Sequence, residues 1–201
     1  MADSTVSTER RSPVSVLRIA YAPLLIDNKE ALEYGEMVDM GNTLISAGYS
    51  PQMQNNQQFA SGQQYDSYTS KTGGNVDIQT PGLNGADEKG LLGTSYNEKT
   101  GLIKSNKKDV IPYVGTVYST ENSDGTVNLY RFYKVKYSTN GETVTTKDSS
   151  GVTFQATTLN GQYIPLRNNG DDMDKLKGLD PVKDKEIIDA WFEKMVPDKE
   201  D

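Results

Sequence analysis

Alternating hydrophobic and polar positions predict β-strands over much of this chain. Residues 14–21, VSVLRIAY, carry apolar side chains on both faces, which indicates a first strand that is covered on both sides. Residues 110–120 and 126–138 flank the sequence ENSDG and predict a long hairpin. In the first strand, strict alternation assigns Leu17, Ile19 and Tyr21 to one face and Val14, Val16 and Ala20 to the other. In the strand over residues 126–138, it assigns one face to Val127, Leu129, Tyr133, Val135 and Tyr137. The other face of that strand carries Tyr130, Phe132, Lys134 and Lys136.

Two further turns are predicted from asparagine-glycine pairs, which supply the positive φ angles of a tight hairpin. The pair at 140–141 leads into a predicted strand over residues 142–147. The pair at 160–161 joins two short strand-like runs within residues 152–166, VTFQATTLNGQYIPL. Residues 31–40 fit a short strand as well as a helix. This run of antiparallel hairpins indicates a mainly β protein with a sandwich or barrel.

Two helices accompany the predicted strands. Residues 87–92 predict one or two helical turns that begin at Asn84 or Asp87 and end at Gly93. Near the chain end, apolar side chains recur at spacings of three and four over residues 187–195, as in an amphipathic helix. Its apolar face comprises Ile187, Ile188, Trp191, Phe192 and Met195. We expect this face to pack against the sheet; docking on a neighbouring subunit is the alternative.

Residues 50–83 form a long and unusually polar segment. Eight glutamines and asparagines occur within residues 52–64. One interpretation is a low-complexity loop, and the other is an extended hairpin that is ordered against another subunit. We favour a hairpin over about residues 50–75, in which residues 65–72 have strand character and the glycine pair at 73–74 is a turn into residues 76–80. Its candidate inter-subunit contact residues are Gln54, Gln57, Phe59, Gln63, Tyr65 and Tyr68.

Composition predicts one domain with polar extensions. The chain has 201 residues, of which 34% are hydrophobic. We expect a flexible N-terminal arm over residues 1–13, a domain over residues 14–196 and a short tail over residues 197–201. No apolar run is long enough to cross a bilayer, and residues 1–15 lack the apolar core of a secretory signal. We therefore expect folding in a cytoplasm and no membrane partner.

The residue types present make catalysis an unfavoured interpretation. The chain has no cysteine and no histidine, which removes thiolate chemistry, Ser-His-Asp triads and the common zinc sites. We expect no enzymatic activity, no catalytic residues, no cofactor and no metal. The net charge of -7 arises mainly from the two ends, so the central body is nearly neutral. A body without a basic stripe is not expected to bind nucleic acid tightly.

Two acidic sequences are candidates for cation sites. Aligning ENSDG with a calcium loop puts Thr120 at the first ligand position and Arg131 at the last, so the essential carboxylates are missing and a hairpin turn is expected. In NNGDDMD, Asp171, Asp172 and Asp174 are close in sequence. A solvated acidic turn is the simpler interpretation of that run.

Several sequence features in a fixed order resemble one family. They are RIAYAPL at residues 18–24, SPQMQNNQQFASGQQY at 50–65, LLG at 91–93, YRFYKVKYS at 130–138, VTFQATTLNGQYIPL at 152–166 and IIDAWF at 187–192. Together they resemble the major tail protein, or tail tube protein, of bacteriophages with long noncontractile tails. The resemblance covers roughly residues 14–196, and it rests on the order of the motifs.

The resemblance implies a two-sheet antiparallel β-sandwich of the tail tube type, with a small helix and an amphipathic C-terminal helix. It implies a structural virion protein that assembles in the host cytoplasm into stacked hexameric rings, through which double-stranded DNA passes. Other implied partners are a tape measure protein and a tail terminator. A long hairpin reaches the adjacent ring in such proteins, and residues 52–74 match it by position.

Two other classes of function remain open from the sequence. A β-sandwich binding module of a phage would use exposed tyrosines to bind carbohydrate or a receptor. A hydrolase built only from carboxylates would use Asp171, Asp172 or Glu142, although no spacing pairs any two of them.

Overall fold

The computed structural model describes residues 11–61, 63–141, 146 and 155–196, with the side chain of Ala60 excepted. Antiparallel strands dominate this part of the chain, and two short helices accompany them, as predicted. The strands are β1 (Pro13–Asp27), β2 (Leu32–Tyr34), β3 (Val38–Gly41), β4 (Ser46–Ala60), β5 (Gln63–Thr80), β6 (Ser95–Asn97), β7 (Leu102–Lys104), β8 (Val114–Asn122), β9 (Val127–Thr139), β10 (Thr157–Tyr163) and β11 (Met173–Leu179), and the helices are α1 (Gly85–Leu92) and α2 (Lys185–Glu193).

Nine strands join in one sheet with the order β2-β1-β8-β9-β10-β5-β4. Strand β3 pairs with β1, and β11 pairs with β9. Strands β6 and β7 form a separate two-stranded sheet. The long strand β9 pairs with β8, while β11 pairs with its first half and β10 with its second half. The sheet therefore divides into two limbs at β9.

The two limbs face each other. The Tyr49 ring on β4 lies 6.0 Å from the Tyr130 ring and 5.8 Å from the Phe132 ring on β9. In a flat sheet these strands would be about 14 Å apart, because three strand spacings of roughly 4.8 Å separate them. The limb β10-β5-β4 is thus folded over the limb β1-β8-β9-β11. The two layers of the predicted sandwich are formed by one continuous sheet.

Two hydrophobic clusters occupy the two faces of the β1-β8-β9 limb. The first lies between the limbs and includes Ile19, Tyr21, Val76, Ile78, Tyr118, Tyr130, Phe132, Val135, Tyr137, Leu159 and Tyr163. The second lies beneath α2 and includes Ala20, Ala22, Val117, Val127, Leu129, Tyr133, Leu166, Phe192 and Met195. The expectation that the first strand is covered on both sides is confirmed, since β1 contributes to both clusters.

Two β-bulges overturn the face assignments made from strict alternation. The pairing of β1 with β8 shifts by one residue between Val16 and Ile19, so Val16 packs with Ile19 while Leu17 packs in the second cluster. An equivalent shift in β9 puts Tyr133 in the second cluster and Val135 in the first. A bulge inserts one residue and reverses the alternation beyond it, which a period of two cannot anticipate.

The predicted hairpin turn at residues 160–161 is wrong. Both residues lie inside β10 and pair on both sides, with β5 and with β9. A Cβ atom on Gly161 would lie 2.6 Å from the ring of Tyr137 and 2.7 Å from the carbonyl oxygen of Val76. The glycine therefore serves close packing of three strands. The other expectations on this part of the chain, at residues 142–145 and 147–154, lie outside the described residues.

Three other local predictions agree with the structure. The segment over residues 31–40 contains β2 and most of β3 and no helix. Helix α1 begins where the Asn84 side chain accepts a hydrogen bond from the Asp87 N–H, and it ends at Gly93, whose φ is +75°. The last three residues of ENSDG, residues 123–125, form the turn between β8 and β9, with Gly125 at φ +81°.

Candidate assembly surface

The hairpin of β4 and β5 extends well beyond the rest of the sheet. Its inner part, residues 46–52 and 73–80, is held in the sheet because β5 also pairs with β10 there. The last pair between β5 and β10 joins Gly74 and Tyr163. Beyond that point residues 53–71, which we call the distal hairpin, continue as a two-stranded ribbon roughly 26 Å long. The polar segment is thus part of a hairpin, which spans residues 46–80 and not about residues 50–75.

Exposure distinguishes the distal hairpin from every other long strand pair. Of its residues with described side chains, all except Ser70 are exposed. Met53 and Phe59 are each 64% exposed, Tyr65 is 77% exposed and Tyr68 is 68% exposed. The candidate contact residues Gln54, Gln57 and Gln63 are exposed as well. All six predicted contact residues are therefore available to a partner.

The pairing register divides those residues between two faces of the ribbon. Met53, Asn55, Gln57 and Phe59 alternate with Gln54, Asn56 and Gln58 along β4, and Tyr68 pairs opposite Asn56. Cross-strand partners share a face, so Tyr68 lies with Gln54 and away from Phe59. A single flat partner surface cannot contact all of these side chains. The ribbon has one charge of each sign, on Asp66 and Lys71, so it is electrically neutral.

The distal hairpin leaves the sheet at a bulge that only glycine allows. The pairing shifts between Gln52-Gly73 and Met53-Lys71, so Thr72 is an extra residue on β5. Gly73 has φ +122°, and a Cβ there would lie 2.2 Å from the Tyr163 carbonyl oxygen. The predicted turn at residues 73–74 is wrong, because these glycines lie within β5 and the chain reverses between Ala60 and Gln63.

Two lysine contacts join the hairpin to the segment that begins β11, one at the root of the ribbon and one in the inner part of the hairpin. The Lys71 ammonium lies 2.5 Å from the Asp172 carboxylate, on the β5 side. The Lys175 ammonium donates a hydrogen bond to the Tyr49 hydroxyl, on the β4 side, and lies 4.2 Å from the centre of that ring. Asp172 is itself held in the sheet, since its carbonyl oxygen accepts from the Tyr133 N–H at 3.2 Å.

In the acidic run NNGDDMD, each of the three aspartate side chains has a partner within the protein. Asp172 pairs with Lys71, Asp174 accepts from the Tyr133 hydroxyl, and Asp171 accepts from the Asn169 side chain. Among the described residues, no three acidic side chains are grouped as a metal site would require. Glu142, the third hydrolase candidate, lies outside them. In the ENSDG turn, Asp124 is bound by Arg11 at 2.7 Å.

The outer edge of β4 is a second feature of this surface. Within the described ranges β4 pairs with β5 alone, so one row of its backbone N–H and C=O groups has no strand partner. Such an edge can accept a strand from another chain. A shallow polar concavity lies on the outward side of β5, β10 and β9 and is lined by Asn75, Asp77, Lys136, Ser138, Asn160 and Gln162. The two charged residues of this polar face, Asp77 and Lys136, are of opposite sign.

Helix α2 lies on the opposite side of the molecule from this polar face. Phe192 is buried at 4% exposure, and Ile188 and Trp191 pack against the second cluster. Ile187 is 43% exposed, so its assignment to the packed face is wrong. The guanidinium of Arg131 lies 4.1 Å from the centre of the Trp191 ring and donates to the Lys194 carbonyl oxygen at 3.1 Å. Burial lowers the pKa of Arg131.

Sequence reasoning missed the root of the distal hairpin. From the sequence, Lys71 is not singled out, Gly73 is interpreted as a turn, and Asp172 is considered only as a cation ligand or a hydrolase carboxylate. One signal was present: Lys71 is the single basic residue of a 19-residue neutral segment, residues 53–71.

Comparisons with known proteins identify no family for this chain. No model of a protein family matches the chain, and no curated protein matches it. Among solved structures, the cryo-EM structure of the anti-feeding prophage cap, an AFP tube terminating cap, aligns over 88% of this chain and 99% of that chain. The TM-score is 0.40 and the sequence identity is 10%. A likeness this weak supports no functional conclusion. No helix in the described part of the chain is long and apolar enough to span a membrane.

Proposed function

We propose that this chain is a structural subunit of a bacteriophage tail tube, that it works by self-assembly, and that it has no catalytic activity. The observation that carries the proposal is the distal hairpin, residues 53–71. An isolated two-stranded ribbon is marginally stable in water. This one also exposes Met53, Phe59, Tyr65 and Tyr68 to solvent. Both costs are removed if the ribbon packs on another subunit.

The order of sequence motifs supports a tail tube as the kind of assembly. It resembles noncontractile tail tube proteins, in which six subunits form a ring and a hairpin reaches the next ring. In this proposal the distal hairpin contacts a subunit of the adjacent ring, and the open edge of β4 pairs with a neighbour in the same ring. The tube would contact a tape measure protein and a tail terminator, and it would be assembled in the host cytoplasm as part of the virion.

The charge distribution supports passage of double-stranded DNA in transit. A channel that lets DNA slide must not neutralise many phosphates, because each phosphate contact with lysine or arginine strengthens binding. The polar face around Asn75, Asn160 and Gln162 offers amides and hydroxyls, with Asp77 and Lys136 of opposite charge. We propose that such a neutral face lines the channel.

Shortening the hairpin tests the proposal. Met53 and Lys71 are paired across the ribbon, so residues 54–70 can be replaced by an Asn-Gly turn that joins them. We expect the shortened chain to keep its circular dichroism spectrum and unfolding midpoint, because the removed residues lie outside both hydrophobic clusters. We expect it to fail to form stacked rings in negative-stain electron microscopy.

Leu102→Ser is a matched control. Leu102 is 49% exposed and lies on β7, outside the hairpin. That variant should assemble as the wild-type chain does. Tubes of normal length from the shortened chain would contradict the role of the distal hairpin. Loss of the fold would instead assign residues 54–70 to the core.

A carbohydrate-binding module is the second candidate, and one observation favours it. Tyr65 and Tyr68 are among the most exposed aromatic side chains, and exposed tyrosine rings can stack on sugars. Most of the other tyrosines are buried in the sheet, including Tyr118, Tyr137 and Tyr163. Glycan binding by a stable monomer, lost in a Tyr65→Ser and Tyr68→Ser double variant, would favour this candidate over the tube.

A further inference from the structure

We infer that the ion pair between Lys71 and Asp172 fixes the direction in which the distal hairpin leaves the domain, and so positions it for assembly. The inference rests on the proposed function, since it concerns how the hairpin meets a second copy of this chain. It assigns Lys71 and Asp172 a positioning role.

The first step of the argument is that the ribbon has a single narrow attachment. Pairing of β5 with β10 ends at Gly74, and beyond Gly73 the ribbon has only its own two strands. The attachment contains a bulge with Gly73 at φ +122°. A two-stranded ribbon joined at a glycine bulge can bend there, because fewer hydrogen bonds and no Cβ atom restrain the backbone.

The second step is that Lys71 lies at the point where the direction of the ribbon is decided. It is the first ribbon residue beyond the bulge on β5, and Met53 is its partner on β4. Its ammonium lies 2.5 Å from the Asp172 carboxylate and 5.9 Å from the centre of the Tyr163 ring. Because Lys71 lies close to the bulge, a small displacement there moves the far end of the ribbon by a much larger distance.

The third step is that the acidic partner does not move with the ribbon. The Asp172 side chain is 15% exposed, and its backbone carbonyl is hydrogen-bonded to β9 through Tyr133. Three residues later, Lys175 binds the Tyr49 hydroxyl on the other strand of the hairpin. The segment over residues 172–175 therefore contacts both strands of the hairpin. The ion pair holds β5 at the root of the ribbon, and the hydrogen bond holds β4 in the inner part of the hairpin.

The strength of the pair suits a positioning contact that assembly can adjust. The Lys71 side chain is 35% exposed, so the attraction is screened by water. A pair of this kind shifts a conformational equilibrium by up to about fivefold. That is enough to favour one direction of the ribbon in the free subunit, while a large inter-ring contact can still readjust it.

Electron spin resonance between two nitroxide labels measures the direction of the ribbon. The chain has no cysteine, so cysteines introduced at Gln57 in the ribbon and at Val182 in the domain would be its only thiols. We expect one main distance in the otherwise wild-type chain. Lys71→Met and Asp172→Asn should each broaden or shift this distance between the two labels. The ratio of chains with the main distance to chains with other distances should change by up to about fivefold. The charge-swapped chain with Lys71→Asp and Asp172→Lys should restore the main distance.

A matched control and a second measurement keep the test decisive. Asp39→Asn breaks a partly exposed ion pair with Arg18, in which the two charged atoms lie 2.6 Å apart, on β3 and β1 and not at the hairpin root, and should leave the distance unchanged. In microscopy, wild-type tubes should be uniform, whereas Lys71→Met should give fewer or irregular stacks. Identical distances and tubes for Lys71→Met and the wild-type chain would overturn the inference and leave the proposed function intact. A wild-type chain that never assembles would overturn the proposed function, and the label distances would still test the ion pair.

Discussion

Replacing Asp27 with asparagine should destabilise the folded chain, because the change leaves the ammonium group of Lys134 buried without its counter-ion. The Asp27 and Lys134 side chains are 5% and 8% exposed, and the two charged atoms lie 2.5 Å apart. The other carboxylate oxygen accepts from the backbone N–H groups of Arg167 at 2.8 Å and Asn168 at 3.1 Å. One carboxylate thus joins the end of β1 to β9 and to the segment before β11.

Breaking a buried ion pair from one side costs about 3–5 kcal/mol. We expect about 3 kcal/mol, at the lower end of that range. The asparagine oxygen can still accept from Arg167 and Asn168, and the Tyr113 ring lies 4.9 Å from the Lys134 ammonium, where it partly stabilises the charge. For a chain of this size, about 3 kcal/mol lowers the melting temperature by roughly 6–12 °C.

Urea unfolding followed by the fluorescence of Trp191, the single tryptophan, and by circular dichroism measures this cost. The double variant Asp27→Asn with Lys134→Met should recover most of the loss, because it leaves no unpaired charge. Asp39→Asn is the matched control, since Asp39 forms a partly exposed pair with Arg18 and should cost less than about 1 kcal/mol. Equal costs for the two single variants would refute the reasoning.

The pH dependence of Asp27 has a defined sign. Burial opposes ionisation, but the hydrogen bonds from Lys134, Arg167 and Asn168 outweigh it and hold the pKa of Asp27 below its usual value. Its stabilising contribution is therefore present above the unfolded pKa of about 3.9 and is lost as the pH falls through the lower folded value. The difference in unfolding free energy between the wild-type chain and Asp27→Asn should shrink below about pH 4.

Three further predictions follow from single residues. Gly161→Ala should cost about 1–3 kcal/mol in urea unfolding, because its Cβ would lie 2.6 Å from the Tyr137 ring; an unchanged midpoint would contradict the three-strand contact. Burial raises the pKa of Asp87 despite its hydrogen bond from Tyr21, so the unfolding free energy of the wild-type chain relative to Asp87→Asn should rise as the pH falls toward about 4; a fall would contradict that sign. Phe59→Ser should change stability by no more than about 0.5 kcal/mol, since Phe59 is 64% exposed, while it weakens ring stacking in microscopy.

The elements that were predicted correctly have signals that are local in sequence. The α1 boundaries follow from the cap at Asn84 and the left-handed glycine at Gly93, and α2 follows from a repeat at three and four residues. The hairpin of β8 and β9 follows from alternation on both sides of a glycine-containing turn. Each of these signals is set by backbone preferences within a few residues.

The errors have a common physical cause, which is packing between segments far apart in sequence. Gly73 and Gly161 were interpreted as turn residues. Both lie within strands, and each position requires glycine because a neighbouring strand lies within 3 Å of where a Cβ would be. The exposed Ile187 and the reversed faces beyond the bulges in β1 and β9 likewise depend on contacts that no local pattern contains. The exposed residues of the distal hairpin could be predicted, whereas its root, with Lys71 and Asp172, depends on the fold.

Self-assembly is the central claim, and the mass of the purified chain in solution tests it most directly. Sedimentation velocity over a range of concentrations, with negative-stain microscopy of the same samples, separates a single chain of 22.1 kDa from a ring of six and from longer stacks. We expect rings of six subunits that stack into tubes as the concentration rises. A folded monomer at every concentration, which also fails to enter tails when supplied to a tube-defective phage, would contradict the claim.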